Sequence, residues 1–352
     1  MRGLPNGHCM RFLSMLGAIR QLLERVPVLG GPVRRLRQGL PPHWLFKRSI
    51  VEWTAQDRAL MRQLPFSYRI FGIYCGFYFQ VLPSAVHLLG GRYVLRFIAT
   101  LQRRNGYTTI TIGNYPVCLD LTDPRFLLVV NELRRQTDTN LLSQFLKGGD
   151  TFVDIGANQG AYSIVAGALV GSRGQVVAIE PQPRLSKAIG RSLAASPVTR
   201  FVVHQAAVGR TNGEIALIVP LSYSGSAGLY RDFSGADGYR EIIVPVRRFD
   251  DLVDWKNFSG DIFVKIDIEG AESDFLEGAA EMITDLQPTL LMEINPHTLK
   301  ASNTKIEQLR NQLQALGYRA YFELHDLSEA RPVEDLDLSH RNILLRGKKQ
   351  RG

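Results

Sequence analysis

The sequence predicts an α/β protein: a mostly parallel sheet with helices on both faces, preceded by a helical N-terminal region. Three observations lead there. From about residue 107, apolar runs of strand length alternate with helical stretches, the pattern of βαβ units. Three of these runs, Thr151–Ile155, Gln175–Ile179 and Arg200–His204, follow one another at a spacing of roughly 25 residues. The first of them runs straight into a glycine turn, residues 156–160, that opens the next helical stretch.

In chain order, Tyr107 to Ile112 and Pro116 to Leu121 read as a small hairpin turning at Gly113-Asn114, and Glu132 to Leu146 carries a helical pattern. After the three parallel runs, residues 214–219 and 241–247 form a strand pair. The loop between them is rich in small residues. Further strands are expected at Ile262–Ile268, Thr289–Ile294, Tyr318–Leu324 and Asn342–Leu345. No solenoid repeat interrupts the series.

The chain has 352 residues, 45% of them apolar and 21% charged, which excludes a disordered, collagenous or polytopic membrane chain. The net charge of +9 is unevenly spread. Residues 1–110 hold 16 basic side chains against Glu24, Glu52 and Asp57, an excess of 13; the other 26 basic and 30 acidic residues leave an excess of 4 acids. Residues 10–40 read as basic amphipathic helices broken at Pro27 and Gly30-Gly31-Pro32, without the cleavage pattern of a signal peptide. From Ile70 to Gly91 there is no Asp, Glu, Lys or Arg, yet Gln80, Pro83, Ser84 and His87 weaken any reading as a clean membrane span. The organisation expected is therefore a basic N-terminal region over 1–106, at an anionic membrane surface, and a main domain over 107–352 with its core near 150–325. Three scattered cysteines (Cys9, Cys75, Cys118) fit a reducing, cytoplasmic compartment and argue against structural zinc.

Three constellations carry chemistry. In Phe152-Val-Asp-Ile-Gly-Ala-Asn-Gln-Gly160 an apolar strand ends in Asp154. Gly156 permits the turn, and Gly160 would let the helix start approach a ligand. The Gly-x-x-x-Gly spacing departs from that of dinucleotide binders. Glu180 ends the next strand, where a carboxylate offers two acceptors to the vicinal hydroxyls of a ribose. Asp267, Glu269 and Glu272 crowd the exit of a buried strand, a place for a general base or for oxygen ligands to a divalent cation. Glu272 can equally serve the first turn of the following helix.

These blocks resemble those of the FkbM family of S-adenosylmethionine-dependent methyltransferases: residues 152–160, Ala178-Ile-Glu-Pro-Gln-Pro183, Val264-Lys-Ile-Asp-Ile-Glu-Gly-Ala-Glu272 and Leu291-Met-Glu-Ile-Asn295. Val117-Cys-Leu-Asp-Leu-Thr-Asp-Pro124 is similar to the family's lead-in. The resemblance covers about residues 115–325. It implies a class I methyltransferase fold, Rossmann-like, with a seven-stranded, mostly parallel sheet whose last strand is antiparallel. It also implies that Asp154, Gly156, Ala157, Asn158 and Gly160 line the cofactor pocket, that Glu180 holds the ribose, and that Gln205 and Ala206 flank the adenine. Family members mostly methylate hydroxyl oxygens of sugars or natural products. The reading that follows is O-methylation of a saccharide, glycolipid or natural-product acceptor. Asp267 is the first candidate base, Glu269 the second, and His204 and His297 stand behind them. The alternative is an RNA methyltransferase using the basic arm, which lacks any RNA-binding signature. The loop over 221–240, with Tyr223, Tyr230 and Tyr239, is a candidate lid over the acceptor.

Overall fold

A computed structural model describes residues 106–120, 139–220, 239–339 and 341–347, together with 62, 63, 129, 132 and 133. The chain divides into two units, Met1–Arg96 and Phe97–Gly352, and the fold below belongs to the second. The basic helices expected over 10–40, the uncharged stretch over 70–91 and the loop over 221–238 lie outside the described residues. Among the described residues no helix is long and apolar enough to cross a membrane.

The strands are β1 (Tyr107–Ile112), β2 (Tyr115–Asp120), β3 (Thr151–Ile155), β4 (Gln175–Ile179), β5 (Arg200–His204), β6 (Ala207–Val208), β7 (Gly213–Pro220), β8 (Tyr239–Arg247), β9 (Ile262–Ile266), β10 (Thr289–Ile294), β11 (Ala320–Glu323), β12 (Asp326–Pro332) and β13 (Arg341–Leu345). The helices are α1 (Thr139–Phe145), α2 (Ala161–Val170), α3 (Pro183–Ala194), α4 (Phe249–Leu252), α5 (Glu272–Gly278), α6 (Ala280–Leu286), α7 (Pro296–Ala301) and α8 (Ile306–Ala315).

The main sheet has eight strands in the order β12-β11-β13-β10-β9-β3-β4-β5. β5, β4, β3, β9 and β10 run parallel, while β13 is antiparallel to both β10 and β11. The expectation of seven strands with an antiparallel last strand is thus extended by one. β12 returns antiparallel to β11 and forms an added edge. Its sequence, Asp-Leu-Ser-Glu-Ala-Arg-Pro, is charged and largely exposed, as a guarded edge strand should be, and gives no apolar alternation to read. β6, β7 and β8 form a separate three-stranded sheet.

All five residues of β3 and of β9 are buried, as strands covered on both faces require. Phe152 stacks on Phe263 across these two strands at 6.0 Å between ring centres. From this layer the core runs through Met292, Ile294, Phe275, Phe249, Tyr321 and Leu345, all shielded from water.

The β1–β2 hairpin packs on α3. The Cys118 N–H donates to Ser192 Oγ at 2.8 Å, and Arg184 forks onto the buried Asp120 carboxylate through two bonds of 2.7 Å. Arg184 and Arg191 also lie over the Tyr107 ring, 4.9 and 4.5 Å from its centre. A bidentate guanidinium–carboxylate pair is among the stronger polar contacts, discounted here because the Arg184 side chain is 41% exposed. Asp120→Asn is expected to cost about 1–2 kcal/mol and to lower the melting temperature by a few degrees. Thermal denaturation at neutral pH checks this, and an unchanged midpoint would mean the pair holds nothing.

Candidate active site

The parallel strands β3, β4, β5 and β9 end at one edge of the sheet, and the sequence places its polar residues there. Asp154 is the fourth residue of β3 and is wholly buried. Its Oδ2 accepts from Ser163 Oγ on α2 at 2.6 Å, which ties the strand to the helix it feeds. Burial raises the Asp154 carboxyl above its usual range, against the lowering effect of Lys265 and Ser163.

Gly156 follows with φ +76°, where a side chain is strained. A Cβ there would fall 2.0 Å from the Asp267 carbonyl oxygen, so the turn after β3 and the loop after β9 touch backbone to backbone. The N–H groups of Gly156 and Ala157 both donate to Ile179 O, pinning the turn to the end of β4. Gly160 also has positive φ, but the space its missing Cβ leaves is taken by Ile189 of α3, 2.8 Å away. The absent Cβ lets the turn before α2 pack closely on α3.

Glu180 leaves β4 buried, with one backbone donor on each oxygen: Asn158 N on Oε2 and Gln182 N on Oε1, both at 2.9 Å. Burial pushes its carboxyl up to about 7, although both N–H groups favour the charged form. The Glu180 N–H donates to His204 O, which stitches on the end of β5 and brings Gln205, exposed, and Ala206, buried, alongside. Asn158 has φ +50°, and its Oδ1 is buried with no hydrogen-bond partner among the described residues. A buried carboxylate, an unmatched amide oxygen and a glycine turn at this sheet edge fit the ribose and amino-acid ends of S-adenosylmethionine. Each carboxylate oxygen retains acceptor capacity for one ribose hydroxyl.

Asp267 stands at the exit of β9 with its side chain 38% exposed, its N–H donating to Ile155 O at 3.1 Å. Its Oδ2 accepts from Lys265 Nζ at 3.2 Å. Glu269 is half-buried in the left-handed turn that follows, at φ +50°. Glu272 lies near enough to Asp267 and Glu269 for their charges to raise its carboxyl further. It is 2% exposed, Oε1 accepts the Gly270 N–H at 3.0 Å, and Oε2 has no hydrogen-bond partner among the described residues. Among the described residues no group of three or more His, Cys, Asp or Glu could hold a metal ion. Asp267 stands at the rim, and Glu272 braces the start of α5.

His204 ends β5, three strands from β9, which is about 14 Å at ordinary strand spacing. Burial lowers its imidazole. His297 is exposed at the start of α7. Neither is placed beside Asp267. Sequence reasoning missed Lys265 and Ser163 as site residues. A lysine in the middle of the apolar run Ile262–Ile266 was the available signal for the first.

An eight-stranded class I sheet with this glycine turn and a carboxylate after the second parallel strand defines an S-adenosylmethionine-dependent methyltransferase fold. Residues 154–320 match the methyltransferase FkbM domain model. No curated protein matches the chain. Among solved structures, methyltransferase FkbM from Methylobacillus flagellatus is 16% identical with a TM-score of 0.37, the match covering 63% of this chain and 54% of that one. The chain therefore spans about half the length of that relative. TYW2 from M. jannaschii, solved with AdoMet, is 12% identical over 69% of this chain and 86% of its own, TM-score 0.39. A SAM-dependent O-methyltransferase from Thermotoga maritima is 12% identical over 70% and 88%, TM-score 0.31.

The buried acids set a pH dependence. Burial raises Glu272 from 4.5 to about 7, as it does Glu180. Between those values the folded chain holds protons that the unfolded chain releases, so stability falls as pH rises from about 4.5 through 7. Glu272→Gln keeps the shape and removes the charge. Above pH 7 the variant is expected to be more stable than wild type by about 1–3 kcal/mol, and its stability–pH curve to be flatter. Urea unfolding at pH 5 and pH 8 measures both, and parallel curves for the two proteins would refute the role of Glu272.

Proposed function

We propose that this protein transfers a methyl group from S-adenosylmethionine to a hydroxyl oxygen of a saccharide, glycolipid or natural-product acceptor. The observation that carries the reading is the backbone contact between Gly156 and Asp267. It sets a cofactor-shaped turn and a carboxylate at the rim against the same edge of the sheet.

The residues divide the work. Glu180 binds the ribose hydroxyls. The backbone of Gly156 and Ala157, with the Asn158 side chain, holds the amino-acid end, and Gln205 and Ala206 flank the adenine. When bound, the cofactor supplies a sulfonium methyl group already activated for displacement. The acceptor oxygen forms the new C–O bond as the C–S bond breaks, and the bonding pair leaves on sulfur. Asp267 takes the hydroxyl proton, with Glu269 as the second candidate. Much of the acceleration comes from alignment, which can supply about 7–11 kcal/mol.

Two substitutions separate the halves of the site. Asp267→Asn is expected to bind S-adenosylhomocysteine within about threefold of wild type but to lose at least tenfold in turnover. Glu180→Gln turns an amide NH2 against one of the two backbone donors, and should weaken S-adenosylhomocysteine binding by about 10–100-fold. Calorimetry reads the affinity. Turnover is read as transfer of label from methyl-labelled S-adenosylmethionine into cell extract split into lipid, glycan and nucleic-acid fractions. Label in the nucleic-acid fraction alone would overturn the hydroxyl-acceptor reading, and full turnover by the Asn variant would remove Asp267 as base.

The excess of 13 basic residues in 1–110 supports a second part of the proposal, that this region holds the enzyme at an anionic membrane surface near a lipid-linked acceptor. The full chain should float with vesicles containing anionic lipid at low salt and dissociate at high salt. Failure to float with anionic vesicles at low salt would end that part.

A further inference from the structure

Lys265 is the residue that the proposed reaction leaves without a task. It occupies the centre of the sheet, in a strand buried along its whole length, and is 7% exposed. Parallel register places it directly beside Asp154, so the two side chains share one face. Its Nζ lies 3.6 Å from Asp154 Oδ1 and 3.2 Å from Asp267 Oδ2, with the Tyr162 ring 5.1 Å away. Burial disfavours its charge, but Asp267 and Asp154 together outweigh that and hold it protonated. Asp154 Oδ1 has no hydrogen bond among the described residues, so this ammonium is its nearest compensation.

The arrangement is directional. Asp154 is closed off from solvent and anchored by Ser163, and Asp267 is the partly exposed member. A lysine stem running along the sheet face carries a fixed positive charge from the interior to the rim. There it grips the Oδ2 side of the carboxylate. Lysine reaches this position because its stem is apolar and its head is a compact charge.

We propose that Lys265 is a positioning residue for methyl transfer: anchored on Asp154, its ammonium fixes the Asp267 carboxylate at the mouth of the site so that it meets the acceptor hydroxyl. This rests on the proposed role of Asp267, and its test separates the two. Lys265→Met should bind S-adenosylhomocysteine within about threefold of wild type but label the responsive extract fraction at least tenfold more slowly at saturating S-adenosylmethionine. Lys265→Arg keeps the charge near both acids and should recover a substantial part of that rate.

Lys265→Met leaves Asp154 buried without its counter-charge and can fail to fold. The double variant Asp154→Asn with Lys265→Met removes both buried charges and keeps the packing. It should fold, bind S-adenosylhomocysteine and remain slow. A double variant that labels as fast as wild type overturns the proposal, because a purely structural lysine would be dispensable once its partner is neutral. Loss of S-adenosylhomocysteine affinity in parallel with rate, in every folded variant, overturns it as well, since the effect then lies on the cofactor side. If wild type itself binds no S-adenosylhomocysteine, the proposed function fails first and takes Lys265 with it. If wild type is active and Asp267→Asn is equally active, the assignment of Asp267 fails and the positioning role with it.

Discussion

The site depends on one steric fact: the carbonyl oxygen of Asp267 occupies the place where any side chain on residue 156 would begin. Two loops from adjacent strands can make backbone contact only if one of them has no Cβ there, and Gly156 also needs none of the penalty that positive φ would impose on another residue. The contact has consequences on both sides. The turn after β3 is held down against β4 through Ile179 O, and the loop after β9 is held up against Ile155 O. Asn158 and Glu269, one on each loop, adopt left-handed backbone at φ +50°. Such conformations cost about 1–3 kcal/mol in a non-glycine residue and persist where the surroundings over-determine them. Asn tolerates the region better than Glu does, so the greater strain falls on the 267–270 turn.

Burying acids at this edge has been met in three different ways. Glu180 is satisfied by two backbone N–H groups, Asp154 by a hydroxyl and an ammonium, and Glu272 by a single N–H on one oxygen. The differences matter because a buried carboxylate without donors is costly, and a buried ion pair is worth its desolvation only with good geometry. Glu180 is the carboxylate proposed to receive the ribose hydroxyls. Asp154 Oδ2 is taken by Ser163, and its Oδ1 is matched only by the charge of Lys265, with no hydrogen-bond partner among the described residues.

Much of this was legible in the sequence, and the limits are instructive. The glycine turn and Glu180 could be read because the chemistry demands one residue type at a fixed offset from a strand end. The parallel runs 151–155 and 175–179 were equally plain, since buried parallel strands are continuous apolar runs, while 200–204, an exposed edge strand, was legible from its aromatic and β-branched residues. β12 was missed because an edge strand exposed to water needs no apolar alternation. The packing of Ile189 beside Gly160 could not be read, because a sequence records that a Cβ is absent, not which neighbour fills the space. Lys265 was quoted within a motif and passed over. Its meaning lies in a register between strands more than a hundred residues apart in the chain, and nothing local reveals that pairing.

The two halves of the site are held with unequal rigidity, and this bears on what can vary. On the cofactor side the restraints form a closed chain. The β1–β2 hairpin grips α3 through Asp120–Arg184 and Cys118–Ser192, α3 begins just after Gln182, and Gln182 donates to the carboxylate of Glu180. Glu180 in turn holds Asn158 and is stitched to β5. On the acceptor side, Asp267 is held by the Gly156 contact, a bond to Ile155 O and the ammonium of Lys265. None of these three restraints comes from the hairpin, α3 or β5. Substitutions around Asp267 are therefore expected to leave the Glu180 side in place, while damage to the Asp120–Arg184 pair would reach the Glu180 carboxylate from the far end of its own chain of contacts.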